Sequence, residues 1–265
     1  MSDYEFFNEP SKKISMSGHS KWATTKRRKF AVDAKRGVIF TKMAKNITVA
    51  AREKGGDPSA NFTLRMAIDK ARSVNMPMEN IERAIKRGAG GADGAQIETL
   101  VYEGFGPAKS QFIVRCLSDN KNRTASEIRH LFSKFGGSFG SVAWNFSDKG
   151  VIRVTKESLA RLAEDGESRR AGKKIDDFEL ELIDAGADDI IKEEEGVTIY
   201  TKPVDLDKVK TFLDQKNIAA EEAQVESVAK EEQNLSADDS DKVQAFIDAL
   251  DEHEDVDEYY TNVNL

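Results

Sequence analysis

The sequence predicts an α+β protein: an N-terminal three-helix domain followed by two small α/β domains of the split-βαβ, ferredoxin-like type. Three observations predict it. Apolar residues recur with the helical period from Val38 to Gly88. A glycine-rich run, Gly88 to Gly94, then separates that stretch from one in which short strand-like and amphipathic segments take turns. The 265 residues, 39% of them hydrophobic with 14 Phe, suffice for two or three small cores.

Residues 1–36 read as a basic, flexible arm whose only apolar landmarks past residue 16 are Trp22, Phe30, Val32 and a few alanines. Met16 opens MSGHSKW and reads as a start, so residues 1–15 are treated as an extension or tag. Residues 37–90 are the bundle. Ile39, Met43, Ile47, Ala50 and Ala51 share a face, and Gly55-Gly56 ends the first helix. Asp57-Pro58 reads as an N-cap with Pro at the first helical position. Leu64, Ala67, Ile68, Ala71 and Val74 form the second stripe. Asn75-Met76-Pro77 opens a third helix with Ile81, Ala84 and Ile85 inward and Gly88 as its stop.

Residues 91–147 carry two strand-like runs, Ile97–Tyr102 and Gln111–Leu117, a helix over Asn122–Phe135, and a loop and strand over Ser138–Phe146 in which Trp144 and Phe146 alternate. Residues 148–230 read as β-α-β-β-α-β: Val151–Thr155, helical Ser158–Leu162 and Asp177–Asp184 separated by the charged loop Glu164–Lys174, a hairpin of Asp188–Lys192 and Val197–Tyr200, a helix over Asp205–Gln215, and Ala223–Val228. The end poses a packing problem. Asp238–Leu250 is amphipathic through Val243, Phe246, Ile247 and Leu250, and a strand over Glu258–Val263 follows. Such a pair cannot bury itself, while 91–147 lacks a second helix for its sheet. Residues 231–265 are therefore expected to complete 91–147 as one discontinuous domain, with 148–230 an inserted acidic domain.

Charge is distributed unevenly. Residues 17–90 hold 17 Lys and Arg against 6 Asp and Glu, whereas 91–265 hold 21 against 38, in a chain of net charge -7. A basic block inside an acidic chain repels itself unless a polyanion neutralises it, and nucleic acid is the commonest polyanion in a cell. The residues expected to contact it are Lys21, Trp22, Lys26, Arg27, Arg28, Lys29, Lys35, Arg36, Lys42, Lys45, Lys86 and Arg87. Lysine and arginine release counterions from phosphates, and Trp22 offers either a stacking surface or an anchor for the arm.

Catalysis finds no support. His19, His130 and His253 lie in three separate segments, Cys116 is the only cysteine, and no zinc-ligand spacing occurs. The carboxylates come in runs such as Glu193-Glu194-Glu195, the pattern of a solvated face. No metal or other cofactor is expected. A single cysteine allows no internal disulfide and suits a reducing, cytoplasmic setting. No window of 18 apolar residues exists, so no membrane span is expected.

Ser17-Gly-His-Ser-Lys-Trp22, Asp33-Ala-Lys-Arg-Gly37, Gly55-Gly-Asp-Pro58, Asn80-Ile-Glu-Arg-Ala-Ile-Lys-Arg-Gly88, Tyr102-Glu-Gly104, Arg129-His-Leu-Phe132, Val142-Ala-Trp144 and Tyr260-Thr-Asn262 resemble motifs of the YebC/PmpR family. The resemblance covers most of the chain from Met16 onward. It implies a three-domain cytoplasmic factor, non-enzymatic, described as a probable transcriptional regulator that binds DNA. A mitochondrial branch acts as a translational activator, which implies RNA or the ribosome as the alternative partner. Ala108-Lys109-Ser110 departs from the family pattern, which more usually has glycines there. A protein-interaction scaffold built on the acidic domains is the reading from another class. The expected state is a monomer.

Overall fold

A computed structural model of the chain describes residues 36–90, 96–159, 171–193 and 195–264. The described elements begin with helices α1 (Arg36–Lys54), α2 (Phe62–Ser73) and α3 (Met78–Ala89). Strands β1 (Glu98–Phe105) and β2 (Gln111–Ser118), helix α4 (Lys121–Lys134) and strand β3 (Ser138–Phe139) follow. Next come β4 (Phe146–Thr155), α5 (Ala171–Ala185), β5 (Ala187–Lys192), β6 (Gly196–Thr201), α6 (Leu206–Gln215) and β7 (Glu222–Ala229). The chain ends with β8 (Gln233–Asn234), α7 (Ala237–Glu252), β9 (Val256–Thr261) and β10 (Val263–Asn264). The α+β class and the three-domain organisation read from the sequence are those of the structure.

The bundle buries Met43, Ile47, Ala50 and Ala51 of α1 against Leu64, Ile68 and Ala71 of α2 and Ile81 and Ala84 of α3. One fully buried side chain, Asn61, sets its first corner. Its Oδ1 accepts from Leu64 N–H at 3.0 Å and caps α2. Its amide donates to Ala50 O and Gly55 O, both at 2.8 Å, and so closes α1. The cap expected at Asp57 lies elsewhere. Asp57 Oδ1 accepts from the N–H and hydroxyl of Ser59, making a local turn, and the helix starts after Asn61. Short polar side chains favour such turns over helix, and only the later asparagine also reaches the open carbonyls of α1.

Gly88 is not a stop either; α3 runs through it to Ala89. A Cβ at Gly88 would stand 2.3 Å from Thr48 O and 2.8 Å from Ala51 Cβ. Glycine here lets α1 and α3 meet backbone to backbone.

The middle domain is an antiparallel sheet of order β3-β1-β2-β9. Its residues come from both sides of the inserted segment. Phe112, Val114 and Cys116 of β2 face α4 and α7, with Ile128 and Phe132 from the first helix and Val243, Phe246 and Leu250 from the second. Phe246 is central: its ring meets those of Phe112 and Phe132, each at 5.0 Å between centroids. The short loop between β1 and β2 makes them neighbours, leaving β3 and β9 to take the two edges. The strand order is therefore 3-1-2-4, which differs from the split-βαβ order expected for this domain. The inserted unit, Ser147–Ser227, does have that order: its sheet reads β5-β6-β4-β7. Its central strand holds a buried ion pair, Arg153 to Glu226 at 2.7 Å, with Glu222 at 2.9 Å.

The loop between β1 and β2 is strained. Ala108 (φ 54°) and Lys109 (φ 61°) are both left-handed, a conformation that costs about 1–2 kcal/mol for a residue with a Cβ. Ala108 O accepts from Gln233 Nε2 at 2.9 Å, and Pro107 is buried beside it, which holds the loop in place. Two substitutions should therefore move stability in opposite directions. Gly88→Ala should lower it by about 1–3 kcal/mol by forcing α1 and α3 apart. Ala108→Gly should raise it by up to about 1 kcal/mol. Urea midpoints of both variants, with amide exchange in α1 and α3 for the first, check this.

Candidate nucleic-acid interface

Of the residues the sequence marks for nucleic acid, Lys21, Trp22, Lys26, Arg27, Arg28, Lys29 and Lys35 lie outside the described residues. Arg36, Lys42, Lys45, Lys86 and Arg87 are described, and the last four fall into two groups.

Lys42 and Lys45, one turn apart on α1, face the connection between α7 and β9. Lys42 Nζ donates to Asp251 O at 2.7 Å. Lys45 Nζ donates to Glu254 O at 3.1 Å and to Asp255 Oδ1 at 2.6 Å. Asn46 donates to Asp257, and Lys70 of α2 pairs with Glu258 at 3.1 Å. The bundle is thus clamped to the acidic edge of the middle sheet by its own cations.

Asp255 is the hub. Its carboxylate, 4% exposed, also takes Arg123 at 2.9 Å, Thr124 Oγ1 at 2.7 Å and Ser118 Oγ at 3.1 Å. Burial alone would raise its pKa; the hydrogen bonds from Lys45, Arg123 and Thr124 outweigh that and hold it well below the usual carboxylate range. Next to it, a bulge in β9 opposite Arg115 and Cys116 turns Asp257 toward the same seam. Arg115 grips Asp257 Oδ2 through two nitrogens at 3.0 and 2.6 Å and reaches Glu258 at 3.1 Å. Charge patterning along the chain could not find this clamp, because its partners lie about 200 residues apart in sequence.

Lys86 and Arg87 behave differently. They are exposed in the last turn of α3, where the helix dipole also favours cations. A Cβ at Gly56, just past α1, would meet Ala89 and Ile85, so the ends of α1 and α3 lie side by side. Exposed Arg52 and Lys54 thereby join exposed Arg83, Lys86 and Arg87 at one end of the bundle, and none of the five makes an ion pair among the described residues. This end is a cationic surface with charge to spare.

Arg87 also borders an open cleft of about 1350 Å³ between the bundle and α4, with Arg123 and His130 on the far wall and Lys45 and Asp255 at its base. His253 closes one side. Its Nδ1 accepts from Asp255 N–H at 3.1 Å, and its Nε2 lies 3.2 Å from Glu127. Burial lowers its pKa, against the pull of Glu127, so the imidazole is neutral at pH 7. Asp119 pairs with Arg123 at 3.3 Å. Cys116 is buried, and desolvation together with Asp255 pushes its thiol up to about 12, which makes it inert. Among the described residues no group of His, Cys, Asp and Glu could hold a metal ion, and no helix is long and apolar enough to cross a membrane.

The sequence reading missed the cations of α4. Lys121, Arg129 and Lys134 are exposed. Treating 91–265 as one acidic body hid them: residues 91–146 hold 6 Lys and Arg against 5 Asp and Glu, and 147–265 hold 15 against 33. The acid lies after the first half of the middle domain, not throughout it.

Fold and surface together define a three-domain α+β protein with a cationic helical bundle locked onto an acidic sheet edge. Family models agree with that layout: the TACO1/YebC protein N-terminal domain matches residues 20–91, and the TACO1/YebC second and third domain matches residues 97–263. The chain belongs to the TACO1/YebC family. A probable transcriptional regulatory protein of Thermoanaerobacter pseudethanolicus is 45% identical over 255 residues, covering 94% of this chain and 98% of the relative. One from Nitrosococcus oceani is 44% identical over 255 residues, covering 94% and 96%. The crystal structure of a conserved hypothetical protein from Aquifex aeolicus superposes with a TM-score of 0.73 at 37% identity, covering 88% of this chain and 91% of that one.

The clamp assigns Lys45 a structural duty that a substitution can expose. Lys45→Ala should destabilise the bundle–sheet seam by about 2–4 kcal/mol, because it strips a direct partner from a buried carboxylate. Thermal unfolding and amide exchange in α1 and β9 measure this.

Proposed function

We propose that the chain is a non-enzymatic regulator of gene expression that binds nucleic acid through its N-terminal third. The observation that carries this reading is the bundle end where Arg52, Lys54, Arg83, Lys86 and Arg87 stand exposed with no ion pair among the described residues, in a chain whose residues 17–35 are also rich in Lys and Arg. Proteins that hold phosphate backbones present such surfaces, and the affinity they gain is steeply salt-dependent. The names carried by the relatives from Thermoanaerobacter pseudethanolicus and Nitrosococcus oceani point the same way.

A second observation favours RNA within a ribonucleoprotein over bare DNA. Residues 147–265 carry 18 more acidic than basic side chains, which repel a naked duplex but suit a partner that also presents basic protein. The cytoplasm is the setting that fits either partner.

Replacing Lys26, Arg27, Arg28 and Lys29 with Ala should weaken binding and flatten the plot of log affinity against log salt, by roughly one unit for each phosphate no longer neutralised. Arg83→Ala with Lys86→Ala and Arg87→Ala should do likewise. Fluorescence anisotropy with labelled DNA and RNA across a salt series measures both; unchanged slopes on every nucleic acid would rule the reading out. A thousandfold preference for one duplex sequence over random DNA would make it a DNA-sequence-specific regulator.

A further inference from the structure

We propose that Trp144 is a stacking platform for an unpaired nucleobase, with Lys230 beside it for the adjoining phosphate. The middle domain would then select single-stranded nucleic acid. This inference rests on the nucleic-acid reading above and names the kind of strand.

Trp144 and Phe146 alternate in sequence as residues of a strand would. The structure separates them: Phe146 is 6% exposed and Trp144 is 60% exposed. Trp144 sits in a single 3-10 turn, Ala143–Asn145. An indole left this far in water is unusual, since tryptophan is highly buried on average.

The turn is rigid. Glu103 Oε2 accepts from Val142 N–H and Ala143 N–H, both at 2.8 Å. The Asn145 side chain, buried, donates to Gln111 Oε1 at 2.7 Å and Glu231 O at 3.0 Å and accepts from Glu231 N–H at 2.9 Å. Lys230 N–H donates to Asn145 O at 2.7 Å, and Lys230 Nζ donates to Trp144 O at 2.9 Å. Val142 and Phe146, on either side, are packed in a small core with Ile113, Ala229 and Tyr260. The backbone around the indole is therefore fixed before any ligand arrives, and binding costs little ordering.

The surroundings favour a base over a protein side chain. A tryptophan at the centre of a protein interface lies within a ring of other residues that exclude water. Here the groups bonded around the turn are polar: Glu103, Gln111, Asn145 and Lys230. An aromatic face with an ammonium next to it is the combination that holds unstacked nucleotides. Two carboxylates are near. Glu103 is committed to two N–H groups, and Glu231 contacts the turn through its backbone. Duplex bases have their faces covered by neighbours and cannot use the platform.

The chain has two tryptophans, so Trp22→Phe leaves Trp144 as the sole indole reporter. The full chain carrying Trp22→Phe is titrated with twelve-residue oligouridylate, with oligothymidylate of the same length, and with a fully paired blunt-ended GC duplex, and the chain with Trp22 intact supplies the reference affinities. Either single strand should quench the emission, and the duplex should not; which of the two binds more tightly separates RNA from DNA. Trp144→Ala should weaken single-strand binding about tenfold and leave duplex binding unchanged, while Trp144→Phe stays within about threefold. Lys230→Gln should lower the salt slope by about one unit. If single strands bind but the emission and the Trp144→Ala affinity do not change, the platform is overturned and the nucleic-acid reading stands. If no nucleic acid binds at all, both fall, and Trp144 is left to a protein partner.

Discussion

The described N-terminal and middle domains depend on one buried carboxylate. Asp255 is reached by α1 through Lys45, by the end of β2 through Ser118, and by the first turn of α4 through Arg123 and Thr124. It sits in the turn that leads from α7 into β9, so the same residue ties the returning C-terminal pair to the sheet it completes. An ion withdrawn this far from water is costly unless its oxygens are well supplied with donors, and here they are. The neighbouring bonds of Lys42, Lys70 and Arg115 extend that knot along the acidic edge. Position matters more than the strength of any one bond. The clamp fixes where the cationic end of the bundle stands relative to α4.

That placement explains how a chain of net charge -7 can still present a basic face. The groups at the end of α7, in the turn after it and in β9 do not weaken the surface at random. They hold Lys42, through the Asp251 carbonyl, and Lys45 and Lys70, through Asp255 and Glu258, at the seam, and leave Arg52, Arg83, Lys86 and Arg87 at the far end of the helices exposed. Charge summed segment by segment assigns both groups the same role. Only tertiary structure separates lysines that build the molecule from those with charge to offer.

How much is legible in the sequence varies with the range of the interaction. Periodic stripes such as Leu64, Ile68 and Ala71 or Val243, Phe246, Ile247 and Leu250 announce their helices, because burial on one face is a local pattern. The cap at Asn61 and the role of Gly88 are not legible. Asp57 and Asn61 are equally good caps on paper, and the choice is made by carbonyls of α1 that only the folded corner brings near. Gly88 reads as a stop until Thr48 O is known to lie against it. Of the candidate site, Lys86 and Arg87, exposed and without an ion pair among the described residues, look no different in the sequence from Lys42 and Lys45. Trp144 looks like a strand residue because alternation with Phe146 is the signature of a pleat, and nothing local reveals that Glu103 has folded that stretch into a turn.

The discontinuity of the middle domain has a consequence for the birth of the protein. Phe246 fills the centre of a core whose first strand, β1, is made almost 150 residues earlier, and the sheet lacks its fourth strand until β9 has been synthesised. Throughout that interval β1, β2 and α4 have half a core and an unpaired edge. The inserted unit lies wholly within the waiting period and has all the strands of its own sheet once β7 has emerged. Vectorial synthesis therefore imposes an order, with the second domain to start being the last to finish. A nascent chain stalled before residue 246 carries its basic end on a scaffold that has not yet closed.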